Sequence, residues 1–170
     1  MSFIIRNHWR NDCVRKGENM KLSTRARYGL RALIDIGVHS RDGAVSLQSI
    51  AARQGLSLGY LEQLMAMLKK AGLVKSARGA QGGYMLKKPA DEISVGDILR
   101  VLEGGLDAVE CPGIEGEGGC QGADLCVAKV VWKRINDSIT SAVDNFMLSE
   151  LIEESIKVRE EKKKPLKDTP

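Results

Sequence analysis

The chain has 170 residues and a mass of 18.6 kDa, with 28% charged residues, 4% aromatics and a formal charge of +4. Its longest wholly apolar run, 64–68, is far short of the roughly 20 residues of a membrane span, and the apolar start at 3–5 gives way at once to polar 7–11, unlike a signal peptide. So few aromatics argue against a large catalytic pocket, and a cytoplasmic, non-enzymatic protein of one domain with an appendage is expected.

The charge is divided along the chain. Residues 21–88 carry twelve basic side chains against three acidic ones, whereas 89–156 carry four against fourteen. That separation suits one part that meets a polyanion and another that does not.

Residues 1–19 have no sustained period and read as an N-terminal extension, either disordered or an upstream mis-start. The stretch RKGENM at 15–20 matches the in-frame translation of a purine-rich ribosome-binding site ahead of a start at Met20. From Ser23, a helix N-cap, Tyr28, Leu30, Leu33, Ile34 and Val38 recur at helical spacing, and Arg41-Asp42-Gly43 makes the turn. Ser46 caps a second helix over 47–53 that Gly55 ends. Ser57 caps a third, with Leu61, Leu64, Met65 and Leu68 as its apolar stripe and Gly72 after Lys69 and Lys70 as its stop.

Two short helices about a tight glycine turn suggest a helix-turn-helix. Strand-like pieces at 73–75 and 83–86, joined by a basic, glycine-rich 76–82, add a wing. The fold class expected is mainly α: a winged helix-turn-helix over 20–88, then a cysteine-bearing loop and a long C-terminal dimerisation helix.

A recognition helix enters the major groove N-terminus first, which turns Ser57, Gly59, Tyr60, Glu62 and Gln63 toward DNA, with Leu58 beside them. Gln63 can pair with adenine and Glu62 can accept from the cytosine amino group. Glu62 is the one acidic side chain between Asp42 and Asp91, so a base-reading role is preferred to a solvated carboxylate. Tyr60 can donate to a phosphate. Arg78 at the wing tip can enter a narrow minor groove, and Arg25, Arg27 and Arg31 can serve phosphates or anchor the first helix.

In the connecting segment 89–106, Ser94 caps a helix over 95–102 with Asp97 completing a capping pair, and Gly104-Gly105 ends it. Residues 107–126 form an acidic loop. A long stripe of Val127, Val130, Val131, Ile135, Ile139, Ala142, Val143 and Phe146 exceeds what one small domain covers, and suggests a helix shared with a second copy in a homodimer. Ser149 is expected to cap a short terminal helix within 127–158, with 159–170 a disordered tail.

Cys111, Cys120 and Cys126 follow the spacing C-x8-C-x5-C among glycines that let a backbone wrap a compact centre. An iron–sulfur centre leads. Zinc usually takes four thiolate or imidazole ligands, and His8 and His39 are remote in sequence, which counts against it; zinc, a thiol–disulfide switch and a coincidence of thiols stay open as competitors. Cys13 is given no role.

Met20-Lys21-Leu22-Ser23 with Arg27-Tyr28-Gly29-Leu30-Arg31, then SLGYLEQLMAMLKKAGLVKSARGAQGGYML at 57–86 and GGCQGADLC at 118–126, closely resemble the Rrf2 family of transcriptional regulators. The nearest likeness is to its IscR-type iron–sulfur cluster regulators, over Met20 to about Glu154. The resemblance implies a dimeric regulator of operator DNA with a [2Fe-2S] cluster on Cys111, Cys120 and Cys126, a [4Fe-4S] centre coming second. It also implies control of iron–sulfur assembly or related stress genes, and cluster-assembly proteins as further partners. Glu62 resembles the family's discriminating base contact, with Tyr60 and Gln63 beside it, and Arg78 its minor-groove arginine.

Two departures concern the cluster ligands. The first cysteine spacer holds eight residues where the enterobacterial type has five, and Lys129 stands where a histidine ligand is expected. The fourth ligand is thereby left to Glu110, Glu115, the partner subunit, or an exogenous thiol or water. Arg27 replaces the aspartate ligand of nitric-oxide-sensing relatives. The alternative is a cluster-free family member switched by thiol oxidation or by a metabolic enzyme partner.

Overall fold

The computed structural model describes residues 22–40, 43–79, 82–114, 120 and 122–163. The readings placed on 1–21, Arg41-Asp42, Glu115 and 164–170 lie outside the described residues. The chain divides into two units, one of 22–106 with 139–170 and one of 1–21 with 107–138.

In the first unit, four serine caps set four helix starts. Ser23 Oγ accepts from the Ala26 amide and opens α1 (Thr24–His39). Ser46 does the same for α2 (Leu47–Gln54) and Ser57 for α3 (Leu58–Lys70), each accepting an amide three residues on. Ser94 and Asp97 form a reciprocal capping box at the start of α4 (Val95–Glu103). Such caps satisfy amides that the helix itself leaves orphaned. Gly55 at φ +65° and Gly104 at φ +90° then end α2 and α4 in the left-handed conformation that favours glycine.

The apolar faces of these helices meet in one core. Leu33 and Ile36 of α1, Ile50 of α2, Leu61, Leu64, Met65 and Leu68 of α3, and Ile98 and Leu102 of α4 are all fully buried. Gly29 lets α1 approach α4 closely, because a Cβ there would collide with Leu102. Two antiparallel strands follow α3: β1 (Val74–Ala77) pairs with β2 (Gly83–Leu86) in the register Val74–Leu86 to Ala77–Gly83. The first strand therefore runs two residues beyond the expected 73–75 and draws Ser76 and Ala77 out of the loop. Val45 adds a single bridge to Tyr84, with amide-to-carbonyl distances of 2.9 and 2.8 Å. Gly83 is required there, since a Cβ would strike the Val45 carbonyl.

Helix α5 (Ala128–Asp144) has residues in both units. Its last residue is clamped in the first, where Arg100 Nη2 donates to Asp144 Oδ2 at 2.7 Å, and the missing Cβ of Gly96 leaves room for that carboxylate. The bond holds the Asp144 carboxyl below the usual aspartate range, against the desolvation that raises it.

Helix α6 (Leu148–Lys163) corrects the expected short helix and tail, since it is 16 residues long and passes through 159–163. Ser149 lies inside it, and the starting cap is instead the Glu150 carboxylate, which accepts from the Met147 amide at 2.9 Å. Glu, Lys and Arg are good helix formers without apolar periodicity, so this stretch helps itself while hiding from a pattern search. Leu148 is fully buried and Gly37 admits Ile152, which seats α6 on α1. Arg159 adds a contact to His39 Nε2 at 3.1 Å and one to Asp35 at 3.7 Å. Among the described residues no helix is long and apolar enough to cross a membrane.

Candidate nucleic-acid interface and cysteine loop

The apolar stripe of α3 fixes which of its side chains face water. Leu61, Leu64, Met65 and Leu68 point into the core, so Ser57, Gly59, Glu62 and Gln63 are left exposed together at the N-terminal half. A Cβ on Gly59 would meet nothing within 4 Å, so that turn is open to a ligand. Ser57 Oγ is committed as acceptor to the Tyr60 amide at 3.4 Å, which leaves its hydroxyl proton available to donate. Tyr60 is half-buried, and its ring meets the Tyr28 ring edge-on, with centroids 6.2 Å apart and planes at 87°. Edge-to-face contact is a preferred aromatic geometry, and it holds the Tyr60 ring against α1.

The wing presents Arg78 at its exposed tip, one residue beyond β1. Gly79 at φ +117° turns the chain, and its carbonyl accepts from the Gly82 amide at 2.9 Å. Arg25 and Arg27 are exposed on the first turns of α1. The structure thus places Ser57, Gly59, Glu62, Gln63, Arg78, Arg25 and Arg27 at the surface of one unit, with Tyr60 partly covered. Among the other basic residues, Lys69 Nζ donates to Ser76 Oγ at 2.7 Å, tying α3 to the wing.

Sequence reading missed a buried ion pair behind this surface. Asp35 is fully buried on α1 and accepts from Arg53 of α2 through Nε at 3.0 and 3.1 Å and through Nη2 at 2.6 Å. Gln54 Nε2 donates to the same carboxylate at 3.1 Å. An aspartate on the core side of an amphipathic helix was the available signal, because a buried carboxylate needs a cation and hydrogen bonds.

The second unit carries the thiols. Cys111, Cys120 and Cys126 are all half-buried, and Gly113 is buried, its absent Cβ facing Ala123 at 3.3 Å and the Cys111 sulfur at 3.8 Å. Asn136, the buried polar residue of α5, anchors the entry to the loop. Its Oδ1 accepts from the Ala108 and Val109 amides at 3.0 and 3.2 Å, and its Nδ2 donates to the Val109 carbonyl at 3.0 Å. The donor set is chemically suited to a thiolate-held centre, and Gly113 leaves space beside one sulfur. Among the described residues, however, no three His, Cys, Asp or Glu side chains converge as a metal-binding set. Glu110 is exposed next to Cys111, and Lys129 is half-buried on the first turn of α5.

A helix-turn-helix pair with a β-wing, carrying an exposed polar and basic reading face, defines a winged-helix DNA-binding protein. Comparison with known proteins narrows this. A family model described as "Rrf2: Iron-dependent Transcriptional regulator" matches residues 22–154. The chain is 44% identical over 133 residues to the HTH-type transcriptional regulator IscR of Pectobacterium carotovorum subsp. carotovorum, covering 78% of this chain and 79% of that one. It is 42% identical over 133 residues to IscR of Cronobacter sakazakii, covering 78% and 80%. Among solved structures, T. potens IscR superposes with a TM-score of 0.66 at 44% identity, covering 82% of this chain and 91% of that one. CymR, the global cysteine regulator of B. subtilis, superposes at 0.67 with 41% identity, covering 79% and 98%. The chain belongs to the Rrf2 family and is a DNA-binding transcriptional regulator of the IscR type.

Proposed function

We propose that this chain is a homodimeric, cytoplasmic, non-enzymatic regulator whose binding to double-stranded operator DNA depends on an iron–sulfur cluster, [2Fe-2S], held by Cys111, Cys120 and Cys126. The observation that supports the reading is that all three half-buried thiols belong to one unit, whose loop entry is tied to α5 by the bonds of Asn136 to Ala108 and Val109. When bound, the cluster supplies an inorganic cross-link between distant points of a glycine-rich loop and a charge that depends on its oxidation state. Glu110 is the described carboxylate nearest in sequence for a fourth position, because a protonated Lys129 has no lone pair to give.

The residues of the reading face then have separate tasks. Ser57, Glu62 and Gln63 address base edges, Glu62 accepting from cytosine and Gln63 pairing with adenine. Gly59 keeps the backbone close, Tyr60 and the Arg25 and Arg27 guanidinia address phosphates, and Arg78 enters the minor groove. Exposed Val127, Val130, Val131, Trp132 and Ile135 form the apolar surface for the second copy. The genes addressed are those of iron–sulfur assembly or related stress responses, with cluster-assembly proteins as partners.

A second reading has its own support, because the three sulfurs do not converge among the described residues. In it the regulator is cluster-free and answers to thiol oxidation or to a metabolic enzyme. Anaerobic reconstitution with iron and sulfide counting separates the two: the cluster reading expects about two irons and two sulfides per chain with visible absorption. It also expects the triple Cys-to-Ala chain to lose selectivity for its operator under argon. Iron-free protein whose DNA binding responds to peroxide and dithiothreitol defeats it in favour of the second.

A further inference from the structure

The α2–α3 turn aims the recognition helix, so whatever braces that turn decides how bases are met. Arg31 is exposed on the same helix as Arg25 and Arg27, and its charge alone would assign it to a phosphate. Its guanidinium is already engaged. Nε donates to Gln54 Oε1 at 3.0 Å, and Nη2 donates to the Gln54 main-chain carbonyl at 3.3 Å. That carbonyl ends α2, just before Gly55, and belongs to the last-turn acceptors a helix cannot satisfy itself. The Gln54 amide is fixed from the other side by Asp35, at 3.1 Å from its Nε2.

The same guanidinium lies over the Tyr28 ring, with Cζ 5.5 Å from the centroid, and Tyr28 meets Tyr60 edge-on. A planar guanidinium can stack and donate a fork of hydrogen bonds at once, which an ammonium cannot. Arg31 therefore converges on the start of α3 by two routes, one through the end of α2 and one through Tyr28 to Tyr60.

We infer that Arg31 is a positioning residue for sequence reading: it sets the α2–α3 turn and Tyr60 rather than holding a phosphate. The inference rests on α3 as the base-facing helix, and it adds a residue whose effect on DNA passes through others.

The test uses the full chain and a duplex it selects from a random pool, with a scrambled duplex of equal length, titrated by fluorescence anisotropy over a salt series. Arg31→Lys keeps the charge and most of the reach while losing the fork and the stacking. It is expected to weaken the selected duplex roughly ten-fold, within the range of couplings between contacting residues, and to leave the scrambled duplex unchanged. The salt slope should stay as in wild type, whereas loss of one phosphate contact in Arg31→Met would lower it by about 0.9. In a Tyr60→Ala background the Arg31→Lys effect should shrink by the part that passes through Tyr28 and Tyr60, while the part that passes through Gln54 remains. Arg31→Lys that binds the selected duplex like wild type overturns the inference, as does a lowered slope for Arg31→Met. A wild-type chain that selects no duplex defeats the reading of α3 itself, which is a separate result.

Discussion

The buried pair of Asp35 and Arg53 makes an asymmetric prediction about stability. The Asp35 side chain has no exposure, whereas that of Arg53 is 32% exposed. Removing the cation strands a carboxylate that water cannot reach, leaving it the Gln54 amide and Arg159 at 3.7 Å. Stranding a buried charge costs about 3–5 kcal/mol. Asp35→Asn instead leaves a guanidinium that rehydrates, and the expected loss is about 1.5–3 kcal/mol, that of hydrogen bonds to a charged group. Arg53→Met should therefore destabilise more than Asp35→Asn, and the double variant should lose well under the sum of the two, with a coupling of about 2 kcal/mol. Urea unfolding at one fixed protein concentration reads this as midpoint shifts at constant slope. Equal losses for the two single variants, or additivity within about 0.5 kcal/mol, would refute the reasoning.

Two further outcomes follow from the polar contacts. An arginine cannot accept, so His39 Nε2 must accept from Arg159 and the ring is neutral. Burial first, then the Arg53 and Arg159 charges outweighing Asp35, hold its pKa below the usual histidine value of 6.5. The unfolded chain then takes the proton first, so this contribution is complete above about pH 6.5 and is lost as pH falls from there through the folded value. His39→Gln should flatten the melting-temperature profile between pH 5 and 7, about where an unperturbed histidine titrates, and an unchanged profile would count against the contact. Asn136→Ala leaves the Ala108 and Val109 amides and one carbonyl without their partner, at about 1–3 kcal/mol per stranded group. Hydrogen exchange at those two amides should quicken while α1–α3 keep their protection, and unaltered exchange would remove Asn136 from its anchoring role.

What could be read in advance was whatever is settled within a few residues. A serine that accepts from an amide three positions on is a local event, so Ser23, Ser46, Ser57 and Ser94 announce their helices, and Gly55 and Gly104 announce two endings. The wing showed itself by apolar pieces about glycines, although the strand boundary at Ala77 depends on pairing with Gly83 and was misplaced. Asp35 was passed over because its partners lie 18 and 19 residues away on another helix, and Asn136 because it sits within an apolar stripe and answers a loop 27 and 28 residues earlier. The charged run of α6 lacked periodicity, so its length depended on contacts with α1 that no window of sequence contains.

The candidate site divides along the same line, and the division has a chemical meaning. Apart from half-buried Tyr60, the residues proposed to touch DNA are exposed and type-determined, a carboxylate, an amide and guanidinia among them, each legible because its chemistry is its function. Residues that aim them are legible only in three dimensions. Arg31 is the sharpest case, since its type alone assigns it to the phosphate backbone while its hydrogen bonds to both acceptors of Gln54 assign it to the turn. A charge count over 21–88 thus overstates the cations free to meet DNA, because Arg53 is held by Asp35, Lys69 by Ser76 and Arg31 by Gln54. The side chains such a reading head has free for direct phosphate contact are thus fewer than its composition suggests, and part of its basic set is committed to keeping the helix that reads in place.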